Sequence, residues 1–313
     1  MKRKVIQLAG RTLVVSLPMD WASKYNIKKG DDVEVDDGGS YLKICKNIAG
    51  SYGEKKAHID LRNGSRTTTR AIISGFYKQG YDEIVITYNS KEVYDAIIEK
   101  RKEVLLGFTI HEIAKDKLLL GSFMNDSPKE FENSLRRAFL VTISMGENLL
   151  DAIKNKDYKN LKEIRHGENT NNQLTSFCER LINKGFVDPN KASFYYVVCW
   201  NLEKVCDPYR DIIFLMEEHK NFKFSNDTLK LFDIVNKFLK RYYDSIFNYN
   251  LQKVVQLAKD KEDIAKESGK IYNGKSEFEC RVLNYLFEIA ALASNFSGPS
   301  SALNTDKLLM SPK

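Results

Sequence analysis

The chain has 313 residues, of which 42% are hydrophobic and 29% are charged, a composition typical of soluble proteins with two or three domains. Its 49 Lys and Arg residues outnumber its 42 Asp and Glu residues by 7, a surplus that permits nucleic-acid binding without requiring it. No apolar run approaches the roughly 18 residues of a membrane helix, so we expect no membrane insertion.

The cysteines are scattered, and none forms a Cys-x-x-Cys pair: Cys45, Cys178, Cys199, Cys206 and Cys280. Their odd number and the lack of a secretory leader predict free thiols in a reducing cytoplasm. The four histidines lie far apart, and no Gly-x-Ser-x-Gly elbow occurs. We therefore expect a protein that is not an enzyme.

Residues 1–48 alternate apolar and polar side chains, as in residues 13–17 and 33–35, with the period of a strand. A basic arm, Lys2-Arg3-Lys4, precedes the first strand, and a helical turn is predicted around Trp21. Gly10 and the Asp37-Gly38 pair mark turns between strands. A β-rich unit this small cannot bury enough surface alone without disulfides or metal. The inference is an obligate homodimer formed through this unit, with packing against the rest of its own chain as the alternative.

Residues 49–125 predict a small α/β domain with three strands, at 57–61, 82–88 and 107–113. Ser65 caps a first helix that runs to Gln79, where Gly80 ends it, and a second helix spans 90–102. This segment contains no phosphate loop and no catalytic constellation. We interpret it as a structural coupler.

Residues 126–298 predict six helices. Ser127-Pro128 starts the first, Asp157 caps the second, and Asp188-Pro189 starts the third. The other three are predicted at 227–249, 251–272 and 276–296. A weak self-similarity at a spacing of 93 residues suggests a duplicated three-helix bundle. Residues 299–313 are expected to be a disordered tail.

The N-terminal pattern resembles a known family. Residues 14–18 read Val-x-Ser-Leu-Pro, and residues 28–33 read Lys-Lys-Gly-Asp-x-Val, as in the AbrB/MazE/SpoVT swapped-hairpin DNA-binding domains. The resemblance implies that two chains interleave their hairpins into one β-barrel that binds DNA. Basic side chains neutralise phosphates, and Arg also pairs with guanine. The candidate DNA contacts are Lys2, Arg3, Lys4 and Arg11, with a solvated N-terminus as the alternative.

The helical part resembles the PhoU family of phosphate-signalling proteins, which carries a Leu-Glu-Arg-Ile-x-Asp run where this chain has residues 202–207. With Arg70, Gly80, Tyr81 and Asp82 in the α/β segment, the domain order resembles the archaeal phosphate-uptake-regulator architecture. The fold class implied is α+β multidomain: a swapped-hairpin barrel, a small α/β domain and tandem three-helix bundles.

The same resemblance implies a divalent or iron cation on the helical part. Glu203, Asp207 and Asp211 recur at i, i+4 and i+8 on one helix face. Glu168, with Glu163 and His166 beside it, could add ligands from a neighbouring helix. The alternative, which we favour, is a solvated or salt-bridged face that binds no metal. Pro208 departs from the family pattern and predicts a kink or interruption in the third helix.

Two functions compete. The first is a DNA-binding transcriptional regulator of phosphate uptake whose helical part senses or relays phosphate status. The second is a signalling adaptor that binds a phosphate transporter or histidine kinase and uses the N-terminal unit only to dimerise. A MazE-like antitoxin is less favoured, because a folded region of about 250 residues follows the N-terminal unit.

Overall fold

A computed structural model describes residues 2–8, 10–37, 42–46, 54–124, 126–219 and 222–308. The chain divides into two compact units, Met1–Tyr52 and Gly53–Lys313, here called the head and the body. Within the body we distinguish the α/β region, residues 54–124, from the helical region, residues 126–308. The sequence-based boundary at 125 thus falls inside one compact unit.

The head contains two antiparallel hairpins with a short helix between them. The first hairpin pairs β1 (Ile6–Leu8) with β2 (Thr12–Val14), and the second pairs β3 (Val33–Asp37) with β4 (Leu42–Lys46). Helix α1 spans Met19–Lys24, with Pro18 as its N-cap. Gly38, the second residue of the predicted Asp37-Gly38 turn, lies outside the described residues. A swapped barrel needs a second chain and stays a prediction.

None of the head side chains that the structure describes is buried. Trp21, expected in a core, is half-buried and lies 5.6 Å from the Tyr25 ring. Large apolar side chains of both hairpins are exposed instead: Val5, Ile6, Leu8, Leu13, Val15, Val35 and Leu42. The head of a single chain therefore has no hydrophobic core of its own among its described residues.

The α/β region is a four-stranded sheet with the order β5-β6-β8-β7. Its elements are β5 (Lys56–Asp60), α2 (Arg66–Lys78), β6 (Glu83–Thr87), α3 (Lys91–Glu103), β7 (Phe108–Ala114) and β8 (Lys117–Ser122). Strands β5 and β6 are parallel, whereas β8 is antiparallel to both of its neighbours. The five predicted elements are confirmed, but three strands were expected and the fourth, β8, was missed.

Strand β8 escaped the sequence reasoning because its three consecutive leucines do not alternate with polar residues. In the structure, Leu118 and Leu120 are fully buried, while Leu119 between them is only partly buried. Because successive strand residues point to opposite faces, the run reads as apolar on both sides. The strand lies between β6 and β7, so it completes the sheet.

All six predicted helices of the helical region are confirmed. They are α4 (Pro128–Asn155), α5 (Leu161–Asn183), α6 (Pro189–Glu218), α7 (Asn226–Phe247), α8 (Leu251–Ser268) and α9 (Glu277–Ser294). Helices α4, α5 and α6 contact one another, as do α7, α8 and α9. Helix α6 continues through Pro208 without interruption. The second helix begins at Leu161 with Asn160 as N-cap rather than at the expected Asp157.

The predicted disordered tail is wrong for residues 299–308. Helix α10 (Ser297–Leu303) and a 3-10 helix (Thr305–Leu308) follow α9 directly. Helix α10 packs on α6 and α7, and Leu303 is buried there. The small polar residues of this segment resemble a linker in composition, but Phe296 and Leu303 join it to the core.

Candidate nucleic-acid interface

The basic arm lies directly before β1, and Arg11 lies in the turn at the far end of the same hairpin. Strand β1, with Val5 before it and residues 9–10 after it, separates the arm from Arg11 along the chain. The turn is fixed by Gly10, whose φ is +78°, and by the Gln7 side-chain amide, which donates to the Gly10 carbonyl at 2.9 Å. One chain thus places Lys2, Arg3 and Lys4 together but leaves Arg11 apart.

The four candidate DNA contacts are exposed. Within the described ranges, no carboxylate forms an ion pair with Lys2, Arg3, Lys4 or Arg11. Residues 2–11 contain these four basic residues and no acidic one. From residue 1 to 48 the chain has 9 basic and 6 acidic residues, a net of +3. The positive charge of the head is therefore concentrated at its N-terminal hairpin, free to meet an anion.

The proposed metal ligands converge on an arginine. The Arg210 guanidinium lies 2.7 Å from the Asp207 carboxylate, 2.9 Å from that of Asp211 and 3.4 Å from that of Glu168. Lys204 lies 3.3 Å from Glu203. Among the residues that the structure describes, no group of three or more His, Cys, Asp or Glu side chains is arranged to hold a metal. The salt-bridged face, the alternative considered for this cluster, is what the structure contains.

This cluster is half-buried, and burial affects its ionisation. Burial raises the pKa of Glu168, against the hydrogen bond from Asn172 and the charge of Arg210. Burial likewise raises the pKa of Asp207, against the charges of Arg210 and Lys204. The other proposed ligands, Glu163 and His166, line a shallow groove between α4 and α5. Nothing in this geometry favours a cation over the arginine already present.

The arginines at the start of α2 are occupied by carboxylates. Arg66 lies 2.5 Å from Glu99, and Arg70 lies 2.5 Å from Glu103. The Glu92 carboxylate accepts the backbone N–H of Arg66 at 2.8 Å. These arginines and carboxylates therefore pair with one another and join α2 to α3.

Sequence reasoning missed a phosphate-loop pattern in residues 269–276, which read Gly-x-x-x-x-Gly-Lys-Ser. The structure places this segment between two helices, whereas a phosphate loop follows a strand. The Lys275 ammonium contacts the Ser225 hydroxyl at 2.6 Å, and the Ser276 side chain caps α9. Two glutamates in the first turn of α9 repel an anion. The matching segment is therefore a connection between two helices and not a phosphate loop.

Sequence reasoning also missed the charged contact between α5 and the α/β region, here called the seam. The Lys184 ammonium lies 2.7 Å from both the Asp82 and the Asp126 carboxylates. Arg180, whose side chain is 1% exposed, pairs with Asp82 and lies 3.3 Å from Asp126. The signal was two cations four residues apart, Arg180 and Lys184, at the C-terminal end of α5. Asp82 alone had been singled out, through the resemblance to the phosphate-uptake regulators.

The comparisons with known proteins bear on the head. Residues 6–49 match the MazE_antitoxin family model, described as "Antidote-toxin recognition MazE, bacterial antitoxin". The head contains a MazE-type domain. A domain of this type points to nucleic-acid binding and dimerisation, in a DNA-binding or antitoxin-type regulator. The match covers less than half of the chain, so it describes the MazE-type domain and not the body.

No curated protein and no solved structure matches the chain. The resemblance of the body to PhoU proteins, and with it the link to phosphate, therefore stays a prediction. No described helix is long and apolar enough to cross a membrane. Four cysteines, Cys178, Cys199, Cys206 and Cys280, are free thiols, as predicted.

Proposed function

We propose that this protein is a homodimeric DNA-binding regulator that grips DNA with the basic arms and turns of two paired heads. The observation that carries the proposal is the MazE-type domain with four exposed basic residues that no described carboxylate neutralises. Free lysines and arginines bind phosphates by releasing counterions, and Arg can also recognise guanine in the major groove.

Dimerisation follows from the exposed apolar side chains of the head. Ile6 and Val14 are partners in the first hairpin, and Ile6 and Leu13 remain exposed in a single chain. Isolated two-stranded hairpins are marginally stable in water. A second copy of the head covers these side chains and places two arms and two copies of Arg11 on one particle.

In this proposal the body senses phosphate status or recruits a partner, such as a phosphate transporter or a signalling protein. The resemblance of the helical region to PhoU proteins supports that assignment.

The test is DNA binding by the full-length protein and two double variants, followed by fluorescence anisotropy of a labelled duplex. Arg3→Ala/Arg11→Ala removes two candidate contacts, while Lys28→Ala/Lys29→Ala removes the same charge elsewhere in the head. We expect the first variant to bind at least tenfold more weakly than the second at equal melting temperature. Equal affinity of the wild type and the folded Arg3→Ala/Arg11→Ala protein would sink the assignment.

An antitoxin is the second candidate, because the family description of the MazE-type domain names toxin recognition. It predicts a small, stoichiometric protein partner on native co-purification, and DNA binding alone does not require one. An adaptor that uses the head only to dimerise predicts a dimer with no salt-dependent DNA affinity. The anisotropy experiment therefore separates the adaptor from the regulator, and the co-purification separates the antitoxin.

A further inference from the structure

The seam between α5 and the α/β region is unusually rich in buried charge. Asp82 of the α/β region faces two cations at the end of α5, and Asp126, at the junction of the two regions, faces them too; the side chains of Asp126 and Arg180 are only 4% and 1% exposed. A further pair, Lys78 with Glu179 at 2.6 Å, crosses the seam with the opposite polarity. We propose that the seam is an ionic latch. When its ion pairs separate, the α/β region moves away from α5 as a unit while the helical region stays folded.

Opening such a latch returns its charges to water. Removing an ion from water costs several kcal/mol, and the attraction within a buried pair often does no more than offset that cost. When the two sides separate, hydration of the freed charges therefore offsets much of the free energy that is lost with the ion pairs. An apolar contact of the same area offers no such compensation, because its exposure to water is unfavourable throughout.

The hydrogen bonds across the seam are also replaceable by water. Three α5 side chains donate to carbonyls at the C-terminal ends of α2 and α3. Arg180 donates to Tyr77 at 3.4 Å, Asn183 to Lys78 at 2.8 Å, and Gln173 to Lys102 at 2.5 Å. Carbonyls of a last helical turn have no partner within the helix and are commonly satisfied by water. When α5 separates from α2 and α3, water can therefore take the place of each of these hydrogen-bond donors.

Two carboxylates at the seam are held unfavourably even when the latch is closed. The Asp126 Oδ1 atom is buried and accepts no hydrogen bond from the residues that the structure describes. Burial raises the pKa of Glu179 despite its contact with Lys78. A partly satisfied buried network holds its elements less firmly than a complete one. These groups favour a joint that opens before the helical core does.

Aromatic contacts keep the closed state favoured. The Arg180 guanidinium lies 5.4 Å from the Tyr77 ring and 5.1 Å from the Phe108 ring. Arg180 also donates to the Tyr81 carbonyl at 2.5 Å. The latch is thus closed in the ground state, and its open state is a minor population detectable by hydrogen exchange.

The first experiment uses the full-length wild-type protein and needs no substitution. Hydrogen exchange is followed by mass spectrometry at several urea concentrations below the unfolding transition. We expect peptides containing β6 and β8 to exchange through a common opening at least tenfold more populated than that of peptides from α7 and α9. Exchange of both groups only through global unfolding would overturn the proposal.

The second experiment compares Asp82→Asn with Glu147→Gln, which removes a carboxylate from an exposed pair with Lys240 at 2.9 Å. We expect Asp82→Asn to speed exchange in β6 and β8 at least tenfold, because it removes the carboxylate that the α/β region presents to Arg180 and Lys184. Exchange in α7 and α9 should stay at the wild-type rate, and Glu147→Gln should change neither group. Equal acceleration of both groups, or none in β6 and β8, would contradict the latch.

Discussion

The head and the body differ in where their apolar side chains lie. Leu13 of the head is 69% exposed, and no described head side chain is buried. In the body, side chains such as Ile73, Leu118 and Phe139 are fully buried in a continuous core. The body can therefore be stable as a single chain, whereas the head depends on a partner surface.

The charges of the two units differ in the same sense. The candidate DNA contacts of the head are exposed and have no described ion-pair partner, whereas the arginines of the body at positions 70, 180 and 210 pair with carboxylates. Buried or neutralised cations serve the fold, and free cations are available to a ligand. The exposed cations of the head are thus available to a ligand, whereas the three arginines of the body hold parts of its fold together.

The largest effect that we predict from this difference between head and body is on the oligomeric state. Leu13→Asp places a charge on an apolar hairpin that we expect a second head to cover. The variant should be a monomer near 36.0 kDa in sedimentation velocity, under conditions where the wild type is a dimer. Its body should keep the wild-type near-ultraviolet circular dichroism.

Leu251→Asp is the matched control, because Leu251 is also highly exposed but belongs to the body. It should remain a dimer. Dimerisation of Leu13→Asp at wild-type strength would show that the exposed face of the head is not the interface.

A smaller effect concerns the close packing at the seam. Gly80 has a φ of +83°, and a Cβ there would lie 2.5 Å from Lys184 Cγ. Gly274 has a φ of +72° with open space around it. Both Gly→Ala variants incur the left-handed backbone cost of about 1 kcal/mol, but Gly80→Ala must also displace Lys184. Urea unfolding should give a loss at least about 1 kcal/mol larger for Gly80→Ala. Equal losses of unfolding free energy in the two variants would mean that Lys184 moves aside at no energetic cost.

How far the sequence specified the fold depended on whether local signals agreed. Helix starts with a Ser-Pro or Asp-Pro pair, at residues 127–128 and 188–189, were located correctly because cap and proline mark the same position. The start of α5 was misplaced because Asp157 precedes a turn that continues to Asn160. Strand β8 was missed because both of its faces contain leucine.

The candidate sites show the same limit. The basic arm was found because it depends on composition within a few residues. The seam was not found, because Asp82, Asp126 and Arg180 lie far apart in sequence and meet only through tertiary packing. The salt-bridged alternative for the aligned carboxylates could be favoured from sequence because Lys204 and Arg210 lie among them, and Arg210 contacts Asp207 and Asp211 in the structure.

A pH effect would sharpen the account of the seam. Burial alone would raise the pKa of Asp82, but hydrogen bonds from Lys184 and the Lys55 backbone, with the Arg180 charge, outweigh it and lower the pKa below 3.8. A depressed carboxyl pKa stabilises the fold above the unfolded-state value, and this stabilisation is lost as the pH falls through the folded-state value. Asp82→Asn should thus be less stable than the wild type at pH 7, and the difference in unfolding free energy should shrink as the pH falls through the folded-state pKa of Asp82. A gap independent of pH in urea titrations would contradict this role.

The smallest effect is expected at the carboxylate cluster around Arg210. Burial raises the pKa of Glu168, and Arg210 keeps its closer contacts with Asp207 and Asp211 when Glu168 is replaced. Glu168→Gln should therefore change the free energy of unfolding by less than about 1 kcal/mol. Added iron or manganese should leave the melting temperatures of both proteins unchanged. A metal-induced rise in the wild type that Glu168→Gln abolishes would restore the metal site.

The most direct test of the central claim is the salt dependence of DNA binding by the full-length protein. Fluorescence anisotropy would compare duplex DNA from the region upstream of the gene with a scrambled control, from about 50 to 200 mM salt. We predict tight binding that prefers the upstream sequence and falls steeply with salt, the slope reporting how many phosphates are contacted. Failure of the intact, dimeric protein to bind either duplex would contradict the claim and leave the head as a dimerisation element.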